Sequence, residues 1–240
     1  MKPTVLRIAA ACSLLLMSPA AAETASEPSS AALLIQAAQT AKDFAKYRYA
    51  YTLDYRSSDG ENEIAAKLRF DPRLEKGAQW TLLSPAEADL DKKARKALKQ
   101  LQEGDTGDRP ILYDGLHEVV GEADLVSETE SEAVFVAQVN DDEAPKDALE
   151  VYITLDKAGG YVSSIELKSK QPFKPAPVAK VNSLTQTQRF AAPAADGPAL
   201  IATSESKLEG EAMFKSFANE TFQVFSDIER IDMPAKNTGE

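Results

Sequence analysis

The chain has 240 residues, of which 43% are hydrophobic, and its formal net charge is −11. It contains one cysteine and one histidine, so neither a disulfide framework nor a zinc site built from Cys and His ligands has the residues it requires. The acidic balance also argues against a general nucleic-acid binder, because such proteins present a basic surface to the phosphates.

The first 22 residues have the pattern of a secretory signal peptide. Lys2 and Arg7 precede an apolar stretch at residues 8–17, and residues 20–22 are three alanines that suit signal peptidase cleavage. The stretch is too short for a transmembrane anchor. A lipoprotein anchored through Cys12 is a weaker alternative, because that cysteine lies inside the apolar stretch. We therefore expect a periplasmic protein.

Removal of the signal peptide changes the cysteine count and the net charge of the chain that folds. Residues 23–233 are expected to form a single domain and residues 234–240 a flexible tail. The mature chain then has no cysteine and a net charge of −13. Its stability must therefore come from a hydrophobic core, because no disulfide bond is available.

The mature chain begins with a helix that leads into two strands. Apolar residues at helical spacing predict a helix over residues 31–45, with Ser30 as its N-cap. From Tyr47 the period changes to two, which predicts a half-buried strand, and a turn at residues 58–60 leads to a second alternating strand. A third short strand at residues 79–83 carries the only tryptophan, Trp80.

A second helix is predicted from a capping box at residues 84–87, with an apolar stripe that continues to about residue 103. The opposite face of this helix is basic, which is unexpected on an acidic chain. Such a face suits anionic headgroups or an acidic protein partner, or it is a solvated face whose cations favour the C-terminal half of a helix. The cations on it are Lys92, Lys93, Arg95, Lys96 and Lys99.

Most of the remaining chain is predicted to be β-structure. Alternating strands over residues 133–139, 149–155 and 161–170 precede a proline-rich connector at 172–177. Four further strands are predicted over residues 178–190, 199–209, 211–217 and 221–228. This order predicts a mainly β fold, a curved antiparallel sheet or incomplete barrel, with the N-terminal helix and the capped helix packed on it.

Sequence signals for catalysis or for a cofactor are largely missing. His117 is the one histidine and has no nucleophile signature beside it, so we expect a structural role for it. The acidic residues 141–143 lack the spaced ligands and glycine of a calcium loop, which favours a solvated turn. No phosphate-binding or dinucleotide motif is present. We expect a non-enzymatic protein without a cofactor or metal.

The order of elements resembles the periplasmic lipoprotein-carrier family, the LolA-like half-barrels. The resemblance is carried by the helix and strand pair at residues 31–70, by Asp71-Pro72 with the tryptophan strand, and by the hairpin over residues 149–165 with Gly159-Gly160 at its turn. It implies an incomplete antiparallel barrel around helices, a hydrophobic cavity for acyl chains, and neither catalysis nor a cofactor. The basic helix and the long strands after residue 199 depart from that family.

The leading hypothesis is a periplasmic binding protein or carrier for a lipid or a lipidated hydrophobic ligand, held under the sheet. The alternative is an envelope interaction or sensing protein whose sheet interior is filled and which binds a protein partner, with peripheral membrane contact also expected. A hydrolase is the weakest candidate. The residues expected on the inner face, where they form either a core or a ligand cavity, are Tyr49, Tyr51, Leu53, Leu68, Phe70, Trp80 and Ile153.

Overall fold

The structure is a computed structural model that describes residues 28–92, 94–96, 99, 112–138, 148–194, 197–213 and 215–232. The predicted signal peptide, the C-terminal tail, Lys93 and the acidic triplet at 141–143 lie outside these residues. In the described part of the chain, eleven strands form one antiparallel sheet that does not close on itself. The predicted mainly β, open-sheet architecture is confirmed.

Helix α1 (Ser30–Phe44) begins one residue earlier than the sequence pattern predicts. Its N-cap is Ser29, not Ser30, and the Ser29 hydroxyl accepts a hydrogen bond from the backbone N–H of Ala32. The buried face of α1 carries small residues and one leucine, which allows close approach to the sheet. The buried residues are Ser30, Leu34, Ala37, Ala38 and Ala41.

Strands β1 (Arg48–Ser58), β2 (Glu63–Phe70) and β3 (Trp80–Ser84) confirm the predicted N-terminal strands. The β1–β2 turn is fixed by the Asp59 carboxylate, which accepts hydrogen bonds from the N–H groups of Glu61 and Asn62. Gly60 has a φ of 85°, a conformation that favours glycine. The predicted turn is therefore confirmed together with its local cause.

The predicted capping box at residues 84–87 is wrong. Ser84 ends β3, and a short 3-10 helix (Glu87–Asp89) follows. The helical residues begin at Lys92, and the cap is the Asp91 carboxylate, which accepts a 2.7 Å hydrogen bond from the N–H of Ala94. Asp91 provides the same capping chemistry seven residues further along the chain. The rest of this predicted helix is only partly described.

In the described part of the chain, eight strands, β4 to β11, follow two short 3-10 helices, Asp114–Glu118 and Val120–Glu122. The strands confirm most of the predicted β-structure, although β8 forms within what the sequence predicts as a connector. Its prolines are compatible with a short strand at an edge. The first six of these strands are β4 (Asp124–Glu128), β5 (Glu132–Gln138), β6 (Leu149–Asp156), β7 (Tyr161–Ser169), β8 (Phe173–Ala176) and β9 (Ala179–Ala191).

The last two strands, β10 (Leu200–Ala212) and β11 (Lys215–Ile231), are longer than predicted. The sequence pattern breaks this region at Gly210 and again at residues 218–220, and both breaks are wrong. Gly210 pairs with Val181 of β9 and with Phe217 of β11, so it lies within the sheet. The turn instead falls at Met213, directly after Ala212.

The strand order is β3-β2-β1-β11-β10-β9-β7-β6-β5-β4, with β8 paired to β9 outside this path. The pairing of β1 with β11 joins the two halves of the chain, and α1 packs against β6, β7 and the 3-10 residues 114–118. Within the described residues, no helix has both the length and the apolarity needed to span a bilayer.

Candidate functional site

Six of the seven residues predicted for the inner face are buried in one hydrophobic core cluster, and Trp80 is partly buried against it. Tyr51 packs against the rings of Phe70, Trp80 and Phe225, with ring centroids 5.3, 5.8 and 5.6 Å apart. Ile153 lies in the same cluster from the other half of the sheet. Packed aromatic contacts of this kind fill the space under β1–β3. This part of the inner face is therefore a core.

A pocket of about 470 Å³ opens beside this core, at the C-terminal end of α1. Its size lies within the range of small-molecule sites, roughly 300–1,000 Å³. The walls come from α1, β1, the β9–β10 connection, β10 and β11. The lining is mainly apolar, and its larger side chains are Phe44, Tyr49, Leu200, Ile201, Phe225 and Ile228.

A β-bulge in β11 directs several side chains to this pocket. Thr52 pairs with Ser226 and Ala50 pairs with Glu229, so two residues of β11, Asp227 and Ile228, lie opposite Tyr51 of β1. Asp227 has a φ of 50°. The extra residue shifts the in–out alternation by one position. As a result, both Phe225 and Ile228 line the pocket although they are three residues apart.

The bulge is held from strand β2, which lies on the far side of β1. Arg69 donates a 2.9 Å hydrogen bond from Nη1 to the carbonyl oxygen of Asp227. A longer contact of 3.4 Å joins the same nitrogen to the Thr52 hydroxyl. The guanidinium thus satisfies a carbonyl that the bulge removes from the regular ladder. The pocket wall therefore has a fixed backbone geometry.

Tyr49 combines a place in the pocket lining with a buried phenol. Its side chain is only 8% exposed, and its hydroxyl is fully buried without a hydrogen-bond partner. Burial raises the pKa of the Tyr49 phenol, an effect that Arg230 opposes. The phenol is therefore neutral near pH 7 and retains a proton to donate. A buried hydroxyl without a partner is costly, so this phenol destabilises the fold unless it gains a hydrogen-bond partner.

Arg230 supplies the positive charge at the rim of the pocket. It pairs with Tyr49 across β1 and β11, and its guanidinium lies 4.7 Å from the ring centre of Tyr47. A 3.5 Å ion pair joins its Nε to Asp232. Its side chain stays 45% exposed, so it remains accessible from solvent. The carboxylate of Asp227 belongs to the same lining.

The sequence identified one residue of this pocket, Tyr49, among the seven proposed for the inner face. The other six lie in the core beside it. The other lining residues, which the sequence did not identify, lie on α1, the β9–β10 connection, β10 and β11. Simple alternation could not place those on β11, because the bulge at Asp227 reverses the pattern. The spacing of Phe225 and Ile228, three residues apart where a regular strand alternates by two, was the available signal.

The basic face of the second helix is only partly described. Lys92, Lys96 and Lys99 are exposed, and Lys93 lies outside the described residues. Arg95 has a structural task, because its Nη2 donates hydrogen bonds to the carbonyl oxygens of Glu87 and Leu90 at 3.2 and 3.1 Å. It ties the helix to the preceding turn, and its role as a contact residue is correspondingly reduced.

His117 lies on the 3-10 helix Asp114–Glu118 and is partly buried. Among the residues that the structure describes, no cluster of three His, Cys, Asp or Glu side chains has an arrangement that could hold a metal ion. The polar groups of the pocket are a phenol, a guanidinium, a serine hydroxyl and a carboxylate. This set is suited to recognising a polar head beside an apolar chain.

No protein-family model matches the chain, and the search of curated proteins finds no match either. Solved structures do show similarity. A LolA superfamily protein from Nitrosomonas europaea has a TM-score of 0.41 and 13% sequence identity, over 89% of this chain and 99% of that chain. The family that the order of elements resembles is thus represented among the solved structures similar to this chain.

Two further structures are similar. A DUF1329 family protein from Desulfovibrio piger has a TM-score of 0.38 and 9% identity, over 84% of this chain and 93% of that chain. A chain of the MucA/MucB complex from Pseudomonas aeruginosa has a TM-score of 0.24 and 9% identity, over 85% and 99%. All three TM-scores lie below 0.5, so a function has to be inferred from this chain's own residues.

Proposed function

We propose that this protein is a periplasmic, non-enzymatic binding protein or carrier for a lipid-like ligand, and that the pocket at Tyr49 holds it. The ligand enters between the C-terminal end of α1 and strands β1, β10 and β11, and leaves again without a covalent step. The apolar lining supplies the free energy through burial of a hydrocarbon chain. The predicted signal peptide supports the periplasm as the place of action.

The observation that carries the proposal is the Tyr49 hydroxyl. A tyrosine that serves only the core would normally direct its hydroxyl to a protein partner or to solvent. Here the hydroxyl is buried and has no partner, and Tyr49 is one of the residues that line a pocket of about 470 Å³. A ligand oxygen within reach of the phenol would satisfy it.

Arg230 narrows the class of ligand. A guanidinium at the rim favours a carboxylate or phosphate over a neutral head. The mainly apolar walls favour a hydrocarbon chain. The best-suited ligand is therefore an amphiphile with one apolar chain and an anionic head, such as a fatty acid or an acyl chain next to a phosphate.

Native mass spectrometry of the protein purified from the periplasm tests the proposal directly. We expect a co-purified lipid, or saturable uptake of a fluorescent fatty acid by the delipidated protein. A clean protein mass together with no uptake contradicts it.

Loss of the pocket provides the second test. Ala202→Phe places a ring in the pocket lining and should abolish uptake. Ala218→Phe, on an exposed part of β11 outside the lining, is the matched control.

An envelope interaction or sensing function is the second candidate. It is favoured by the exposure of Lys92 and Lys96 on a strongly acidic chain. Charge reversal at Lys92, Lys96 and Lys99 should weaken capture of an acidic partner while leaving fatty-acid uptake unchanged. Unchanged partner capture in that variant would remove this face from consideration.

A further inference from the structure

Two hairpin turns lie side by side at one end of strands β8–β11. Ala176 pairs with Ala179 around the β8–β9 turn, and Ala212 pairs with Lys215 around the β10–β11 turn. Ala179 and Ala212 also pair with each other, and the N–H of Met213 donates a 3.0 Å hydrogen bond to the carbonyl oxygen of Val178. The two turns therefore form one tip, which we call the hairpin tip.

The hairpin tip exposes large apolar side chains. Val178 is 63% exposed and Met213 is 74% exposed. Met213 also has a φ of 50°, a backbone conformation that favours glycine or asparagine in a turn. Neither local backbone preference nor core packing therefore accounts for a methionine here. Met213 and Val178 are joined by a backbone hydrogen bond and together form one exposed apolar patch, the kind of surface that marks an interaction site.

The surroundings of the hairpin tip are basic. Lys174, Lys180 and Lys215 flank the two turns, and Glu211 is the carboxylate that pairs with Lys180 in register. Within the described part of the chain, none of these three lysines forms an ion pair. The tip is thus locally positive on a chain with a net charge of −11.

We propose that the hairpin tip docks on an anionic lipid bilayer. Val178 and Met213 enter the boundary between headgroups and acyl chains, and the three lysines lie at the level of the phosphates. A protein partner fits the tip less well. Stable protein interfaces bury about 1,200–2,000 Å² in total, or roughly 800 Å² on each partner, whereas the large exposed apolar side chains described at the tip are only Val178 and Met213. A bilayer requires only a few apolar side chains with cations around them.

The hairpin tip is separate from the Tyr49 pocket. The pocket is lined by Leu200 and Ile201 at the start of β10, and the tip follows Ala212 at its end. A strand rises about 3.4 Å per residue, so roughly 35 Å separate the two sites along β10. A protein docked through the tip holds the pocket away from the bilayer. The proposal therefore does not depend on lipid binding in the pocket.

Vesicle co-sedimentation of the purified protein tests this docking. We expect binding to phosphatidylcholine vesicles that contain about one third phosphatidylglycerol, and much weaker binding to phosphatidylcholine alone or in 0.5 M salt. The double variant Val178→Ser/Met213→Ser should lower the partition coefficient at least about tenfold. The matched control is Leu125→Ser/Val126→Ser, which removes two exposed apolar side chains from β4 and should bind like the wild type.

Several results would overturn the proposal. The first is that the wild type does not bind anionic vesicles. The second is that the tip variant binds as well as the wild type, and the third is that the β4 control loses as much binding as the tip variant. Sedimentation velocity without vesicles checks the alternative occupant, a second copy of the chain. A dimer that the tip variant abolishes would assign the tip to self-association instead. Thermal unfolding of the variants shows that the fold is retained, because all four side chains are exposed.

Discussion

Tyr49 lies opposite Arg230 across the β1–β11 pair, and the two side chains combine a buried phenol with a solvent-accessible cation at one pocket. Burial raises the pKa of Tyr49 while the positive charge of Arg230 acts against that rise. The phenol therefore remains a hydrogen-bond donor, and the guanidinium supplies the charge. This pair connects the first strand of the fold to the last, so the site exists only once the two halves of the sheet are joined.

The substitution Tyr49→Phe should change stability and binding in opposite directions. It removes a buried hydroxyl that has no partner in the ligand-free protein, so the free energy of unfolding should rise by about 1 kcal/mol. It also removes the donor proposed to meet the ligand, so fatty-acid affinity should fall about tenfold. Chemical denaturation and fluorescence titration measure the two effects.

A matched control for this change is Tyr55→Phe, on the same strand and outside the pocket lining. It should alter neither the free energy of unfolding nor the fatty-acid affinity appreciably. Unchanged affinity in Tyr49→Phe would mean that the hydroxyl has no ligand partner. The proposed function would then lose its main support, even if the pocket still took up an apolar chain.

The substitution Arg230→Gln should reduce discrimination between anionic and neutral amphiphiles. The wild type is expected to bind dodecanoate more tightly than dodecanol, because the guanidinium pairs with the carboxylate. In the variant, dodecanoate affinity should fall about tenfold while dodecanol affinity stays close to that of the wild type. Isothermal titration calorimetry with both ligands provides the comparison.

The comparison of two ligands separates the effect of charge from the effect of packing. Arg230 also lies over the Tyr47 ring, and a packing defect there would weaken the binding of both ligands. Arg189→Gln, on the exposed face of β9, is the control for overall charge. An equal loss for both ligands in Arg230→Gln would assign a purely structural role to the arginine.

Much of the fold could be predicted because its signals are local. The alternation from Tyr47 to Tyr55 gives a strand, and the turn at Asp59 and Gly60 follows from known turn chemistry. The capping box at Ser84 failed because a local motif competes with strand pairing, and Ser84 pairs with Lys67 in the sheet. Tertiary pairing outweighs such a motif.

The candidate site was less predictable because it depends on contacts that are distant in sequence. Tyr49 meets Arg230 only through the β1–β11 pairing, which joins residues about 180 positions apart. The bulge at Asp227 then reverses the expected alternation, so Phe225 and Ile228 share a wall. A single sequence shows an aromatic strand, but it does not show which of its side chains border a pocket.

Gly210 tests whether β10 is a continuous strand, where the sequence pattern predicts a break. A Cβ atom added at this position would lie inside van der Waals contact of the Lys180 carbonyl oxygen and 2.7 Å from Cζ of Phe217. Gly210→Ala should therefore destabilise the protein by about 1–3 kcal/mol. Gly121→Ala, where nothing lies within 4 Å of an added Cβ, is the control in the same thermal unfolding experiment. Equal stability of the two variants would contradict the strand pairing.

The Glu128 carboxylate links β4 to the start of α1 and should make stability depend on pH. It accepts hydrogen bonds from the Ser30 hydroxyl and, at 2.9 Å, from Lys157, and these lower its pKa below the ordinary value. Because the folded-state pKa is depressed, the stabilisation is present above the unfolded pKa, about pH 4, and is lost as pH falls through the folded value. Glu128→Gln should therefore lower Tm at pH 7, and the gap to the wild type should close towards pH 3. Glu132→Gln, at an exposed carboxylate on β5, should show no such closing gap. A gap of constant size for Glu128→Gln would show that its charge does not hold α1 to the sheet.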